Sequence, residues 1–391
     1  MAAHLRARFS DSNLLVGDVV LFTGGSVFSK LVRFVEGTSF DHVALIAPPN
    51  VDDEQFGRDR ADDRTDELWM VEVGFGGGRW APISTYDDSV RALSIRRHRT
   101  VGAGIGAFQR AKEVAAVTKG YAWDRLLFLS LVGATRWSPG LSELHSREAG
   151  AFVRALYEVL GQMRKTGGVS GSNRRICTEV VTEGFDTFGS VDGAQAPYFG
   201  VVVPQRAHEG VLWWATGVED FGDFLASRPV PRRRSVLELD VDLIPDPSEA
   251  GPLLQELAAM NGASFAGMTE TSDAQLRELV VDGVSQTLKS LVGDAWTGAI
   301  TAVSDPRRLA WFLLDQLMRR RLVVTPADIG ESKSLYDVGH VDPTEINWRR
   351  TTKGPQQDST SQGLVLDVPV QHGPRSRDLA INLVADPKSD G

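Results

Sequence analysis

The chain has 391 residues, of which 42% are hydrophobic and 24% charged, with a formal net charge of −9 at neutral pH. That length exceeds one ordinary core and predicts two compact parts, while the acidic balance argues against broad binding to nucleic acid or anionic membrane. A single cysteine excludes an internal disulfide and a thiolate zinc cluster.

The opening stretch MAAHLRARFSDSNLL has basic residues but no apolar core of a secretory signal. The longest apolar run, LLFLSLVGA at 126–134, is far short of the roughly 20 residues that span a bilayer. A cytoplasmic protein without a transmembrane segment is the expectation. LLVGDVVLF (14–22) reads as a short buried strand with a Gly-Asp turn. Ser26 then caps a helix whose Phe28, Leu31, Val32 and Val35 share one face and which Gly37 ends. FDHVALIAPP (40–49) is a second strand stopped by paired prolines, and the acidic stretch 51–67 is a solvated loop. ELWMVEVGFGGGRW (67–80) is a third strand entering a glycine-rich turn or substrate-side loop, and VRALSIRRH (90–98) alternates as a fourth.

Ala103 to Val117 is helical in pattern, another helix begins near Trp123, and 150–164 is helical again. YFGVVVP (198–204) looks like a late strand. Three helical patterns follow, at 248–260, 273–296 and 305–322, beyond a basic linker RPVPRRRS (228–235) that reads as solvated. The segment 323–340 is turn-rich, and the tail from about 349 has the composition of a segment that in part lacks a fixed fold.

RRICTEVVTEGF (174–185) places the lone cysteine, Cys177, at the opening turn of an amphipathic helix. A buried cysteine is ordinarily a small apolar filler. At a helix N-terminus, however, unpaired N–H groups and the helix dipole favour a thiolate. A catalytic thiolate also needs a base and a group that orients the base. Of the seven histidines, His4, His340 and His372 lie in ragged or polar segments, and His98, His145 and His208 lie at loops or element ends. His42 alone opens a strand, on the face of Ala44 and Ile46. Glu72 shares a face with Met70 and Gly74 on the next strand. If the two strands pair antiparallel, imidazole and carboxylate become cross-strand neighbours, and Glu72 orients His42. The plainer reading, two strand-end polar residues, stays open on spacing alone. Tyr121 either donates a hydrogen bond to this site or packs at a helix start, and Trp213 and Trp214 read as core or domain-contact residues.

LLVGDVVLFTGGSVFSKLVRFVEGTSFDHVALI, then VEVGFGGG, then RRICTEVV together resemble the circularly permuted branch of the NlpC-type papain-like superfamily, the YiiX-like proteins, which is itself similar to lecithin retinol acyltransferase. The match covers roughly residues 12–200, and the chain departs from it at Asp41, where the family often has Ser. The resemblance implies an α+β, permuted papain-like fold, an antiparallel sheet packed on helices. It also implies Cys177 as nucleophile, His42 as base, Glu72 as orienting acid, and no metal or organic cofactor. The corresponding layout is a catalytic domain at 12–204, a mainly helical insertion or subdomain at 205–321, a return segment at 322–340 and a polar tail at 349–391. The implied activity is a thiol hydrolase or acyltransferase acting on a lipid-like, acyl-amide or peptide substrate. A non-catalytic binding module on the same fold and a peptidoglycan endopeptidase are the alternatives. A partner protein for the helical insertion is a further expectation.

Overall fold

The computed structural model describes residues 14–36, 38–48, 68–86, 90–122, most of 151–162, 173–186, 190–191, 194–195, 247–260, 272, 275, 324–342 and 345–350. The strand expected at 198–204, the helix near Trp123, nearly all of the helices at 273–296 and 305–322, the basic linker, Trp213 and Trp214 lie outside these residues. In chain order the elements are β1 (Val19–Gly24), α1 (Val27–Glu36), β2 (His42–Ala47), β3 (Trp69–Gly74), β4 (Gly77–Pro82), β5 (Val90–His98) and α2 (Ala103–Val117). Two short strands, β6 (Gly120–Tyr121) and β7 (Arg174–Arg175), precede α3 (Cys177–Asp186). A small hairpin, β8 (Ser190–Val191) and β9 (Ala194–Gln195), then α4 (Ala250–Met260), α5 (Pro326–Gly330), β10 (Leu335–Asp342) and β11 (Glu345–Arg350) complete them.

The class is α+β. Seven strands form one sheet in the order β11-β10-β5-β1-β2-β3-β4, and every neighbouring pair is antiparallel. Period-two alternation explains its core: Val20, Phe22, Ala44, Ile46, Met70, Leu93 and Ile95 form one buried cluster, joined by Leu14, Leu68 and Ile83. His42 and Glu72 belong to the same alternation, which carries two polar side chains to one end of an apolar face.

The Gly-Asp turn before β1 has a physical basis on both residues. Gly17 has φ 83° and passes so close to α2 that a Cβ would sit 1.9 Å from the Gly104 carbonyl oxygen. Asp18 accepts the Leu15 N–H at 2.9 Å and both arms of the Arg97 guanidinium at 2.7 Å, tying the turn to β5. Ser26 caps α1 as its position predicts, accepting the Ser29 N–H at 3.0 Å. Helices α2 and α3 approach closely because the residues between them are small. A Cβ on Gly184 would lie 2.8 Å from the Ala107 oxygen and 3.4 Å from the Ala111 methyl. Helix α4 packs on α1 and buries Leu253, Leu254 and Leu257.

Several expectations need correcting. The segment 323–340 is more than turns, because it holds α5 and most of β10, which pairs with β5 along Leu335–Val341. Residues 349 and 350, at the start of the polar tail, belong to β11, and the rest of that tail lies outside the described residues. GFGGGRW is a tight hairpin whose second half is β4, with Gly74 facing Gly77. Tyr121 lies on a strand, not at a helix start. His98 stacks on Phe185 with ring centroids 5.2 Å apart and accepts the Thr100 N–H.

Candidate active site

The β2–β3 pairing sets the first contact. Leu45 faces Val71 and Ile46 faces Met70, so in the same register Glu72 faces Ala44 and His42 stands one diagonal step away. The two side chains are therefore diagonal neighbours rather than directly opposed, and they still meet: Glu72 Oε2 accepts from His42 Nε2 at 2.7 Å. Glu72 is 0% exposed, so its charge survives only by being surrounded with donors. Arg79 Nε donates to Glu72 Oε1 at 2.7 Å, and the Tyr86 hydroxyl donates to Oε2 at 2.5 Å. Arg79 Nη2 in turn donates to Tyr86 Oη at 3.0 Å, which closes the network. Phe22 packs its ring 5.5 Å from that of His42 and 4.9 Å from that of Tyr86.

Burial opposes ionisation of Glu72, but the bonds and charges of His42, Arg79 and Tyr86 outweigh it and hold the carboxyl at about 2. The same environment pushes the Tyr86 phenol far above its usual range, first through burial and then through the adjacent carboxylate. Tyr86 is thus a fixed donor.

Burial also opposes the charged form of His42, yet the neighbouring Cys177 sulfur and the Glu72 carboxylate raise it well above the ordinary imidazole value. Its ring is hydrogen-bonded to Glu72 through Nε2 and lies close enough to the Cys177 sulfur for the two to interact. The structure therefore brings Cys177, His42 and Glu72 into one connected line. Tyr121 lies beside the same sulfur on the cleft wall, and burial followed by the nearby Cys177 raises its phenol well above the usual value.

Local structure places the cysteine. Ile176 is the N-cap of α3, and Glu179 reaches back so that its Oε2 accepts the Ile176 N–H at 2.8 Å, the reciprocal half of a capping box. The strand pair β6–β7 sets Tyr121 against Arg175, two residues before the cysteine, and is extended by Lys119 N–H to Asn173 O at 2.8 Å and Ala122 N–H to Arg175 O at 3.0 Å. Arg175 is steadied by Glu183 at 2.7 Å.

The chain matches no protein-family model, no curated protein and no solved structure. What can be said of the site rests on its own geometry.

A small open cleft lies beside the sulfur. It is lined by Phe28, Val32, Val35 and Glu36 from α1, by Asp41, Tyr121, Ile176, Cys177 and Thr178, and by Pro326 at the start of α5. Cys177 is 4% exposed. Asp41, the position that departs from the resembled pattern, also lines this cleft. It accepts the Gly24 N–H at 2.6 Å and the Arg33 guanidinium at 3.1 Å, with Arg33 also bonded to the Gly24 carbonyl, so it buttresses the turn between β1 and α1.

Two members of the site, Arg79 and Tyr86, escape a sequence reading. The signal for Arg79 is present: a two-residue turn at Phe75–Gly76 puts Glu72 opposite Arg79. Tyr86 lies in a short 3-10 turn, and only the folded sheet brings it to Glu72. Among the described residues no group of His, Cys, Asp and Glu is arranged to hold a metal ion, and no helix is long and apolar enough to cross a membrane.

Proposed function

We propose that this protein is a cysteine-dependent hydrolase or acyltransferase of permuted papain-like architecture, acting through Cys177, His42 and Glu72. The observation that carries the reading is the connected line itself. The only cysteine of the chain opens a helix beside an imidazole that is itself held by a buried carboxylate. An inert filler cysteine requires none of these partners.

In the proposed reaction His42 takes the proton of the Cys177 thiol, and the sulfur attacks the carbonyl carbon of an amide or ester. The S–C bond forms as the carbonyl pair moves onto oxygen. In this reading the Cys177 backbone N–H at the start of α3 receives that negative oxygen, and the Tyr121 hydroxyl, which lines the same cleft, is the proposed second donor. Collapse breaks the C–N or C–O bond, and the leaving group takes the proton from His42. Water or another acceptor then attacks the acyl-thioester, giving its proton back to His42 and releasing Cys177. Glu72 remains ionised throughout and keeps the ring oriented, a role supported by its carboxyl lying at about 2. Arg79 and Tyr86 are positioning residues that keep Glu72 in place. No step calls for a metal or an organic cofactor.

The test uses p-nitrophenyl acetate with the full chain, following both nitrophenolate release and the intact mass of the protein. Wild type is expected to acquire a single acetyl group and to turn over. Cys177→Ala and His42→Ala are each expected to lose at least about a hundredfold in rate. Equal acetylation of wild type and Cys177→Ala refutes the reading.

A further inference from the structure

Phe75 is 60% exposed at the tip of the β3–β4 hairpin, three residues beyond Glu72. Turn tips ordinarily carry small or polar residues. This ring stands edge-on to two rings that line the cleft beside Cys177: Phe28, with centroids 5.7 Å apart, and Tyr121, at 5.4 Å, both with interplanar angles of 76°. It is therefore not a scattered surface apolar residue but an outward extension of the cleft wall. Val32, Val35, Ile176 and Pro326 continue that wall inward. None of the lining residues is basic, and two, Glu36 and Asp41, are acidic.

We propose that Phe75 is a specificity-determining residue that covers the acyl chain of the substrate, so that the site takes uncharged, apolar acyl groups extending past the scissile carbonyl. The inference rests on the proposed acyl transfer to Cys177. An apolar chain leaving the carbonyl passes along Phe28 and Tyr121 and removes the exposed face of Phe75 from water. A chain ending in a carboxylate meets apolar side chains and two acids and finds no basic residue on the lining, so it loses its hydration without a partner. Sharing a hairpin with Glu72 keeps this ring in fixed register with the triad. Each buried methylene raises kcat/KM by about fourfold, so a few contacts produce a large selectivity.

The experiment compares the p-nitrophenyl esters of acetate, hexanoate and the adipate half-acid on wild type, Phe75→Ala and Phe75→Leu, with Cys177→Ala as background. Wild type is expected to favour hexanoate over acetate by at least about tenfold in kcat/KM, and hexanoate over the adipate ester by at least as much. The hexanoate-to-acetate ratio is expected to fall about tenfold in Phe75→Ala and to be kept in Phe75→Leu. Cys177-dependent turnover with no chain-length preference, or a ratio unmoved in Phe75→Ala, overturns this inference and leaves the proposed chemistry standing. Absence of any Cys177-dependent turnover overturns both. Phe75 is exposed, so loss of folding does not confuse the comparison.

Discussion

Replacing Glu72 by Gln keeps the shape of the side chain and removes its charge, which makes it the most direct probe of the buried network. Glu72 falls from an ordinary value of 4.5 to about 2 on folding. At about 1.4 kcal/mol for each pH unit, that difference is worth on the order of 3 kcal/mol of stability at neutral pH. Because the folded value is the depressed one, the contribution is complete above about 4.5 and is lost as the pH falls through about 2. In Gln the amide nitrogen must also face one of the donors now served by the carboxylate, from His42, Arg79 or Tyr86. Urea unfolding at pH 7, followed by tryptophan fluorescence, is expected to place Glu72→Gln about 3 kcal/mol below wild type. Repeating the titration at lower pH is expected to narrow the gap as wild type itself loses the charged carboxylate. Equal stability at pH 7, or a gap that stays constant down to pH 2, refutes the account of a carboxylate stabilised by its three donors.

The His42 ring, followed by NMR, is expected to titrate well above the usual 6.5, and its midpoint to drop in both Cys177→Ala and Glu72→Gln, since each partner raises it. The stabilisation linked to this raised value is present below the unfolded value and disappears as the pH rises through the folded one; a wild-type midpoint at or below 6.5 contradicts it. Glu179→Ala removes the acceptor of the buried Ile176 N–H and is expected to cost about 1–3 kcal/mol in urea unfolding, with slower alkylation of Cys177 by iodoacetamide as the helix start loosens. Gly78→Ala places a Cβ 1.9 Å from the Ala115 oxygen of α2, and a destabilisation of about 1–3 kcal/mol read as a lower Tm is the expected outcome; an unchanged Tm means that the hairpin and α2 are not packed as described.

The pairing of His42 with Glu72 is legible because successive side chains of a strand point to opposite faces. HVALI and WMVEV allow one assignment of faces, and that assignment puts His42 and Glu72 on the same side of the sheet. Register is another matter. The connection of 21 residues between β2 and β3 says nothing about which pairs align, so the diagonal offset emerges only from the folded sheet. Strand β10 is hidden for a different reason. SLYDVGHVD mixes Asp, Gly and His with few apolar residues, and its extended form is imposed by pairing with β5 rather than by its own pattern. Tyr121 shows the same limit at the site: its glycine neighbour and tryptophan context look like a helix entrance, yet a two-residue ladder to Arg174–Arg175 decides its conformation.

The sheet ends with a contact across 234 positions, where the Arg99 guanidinium donates to the Lys333 carbonyl beside the β5–β10 pairing. On a translating ribosome that interval lasts on the order of ten to fifty seconds. Through it β5, the strand that will receive β10, has one flank unmatched. A nascent chain in this condition has an open sheet edge that invites pairing with foreign strands.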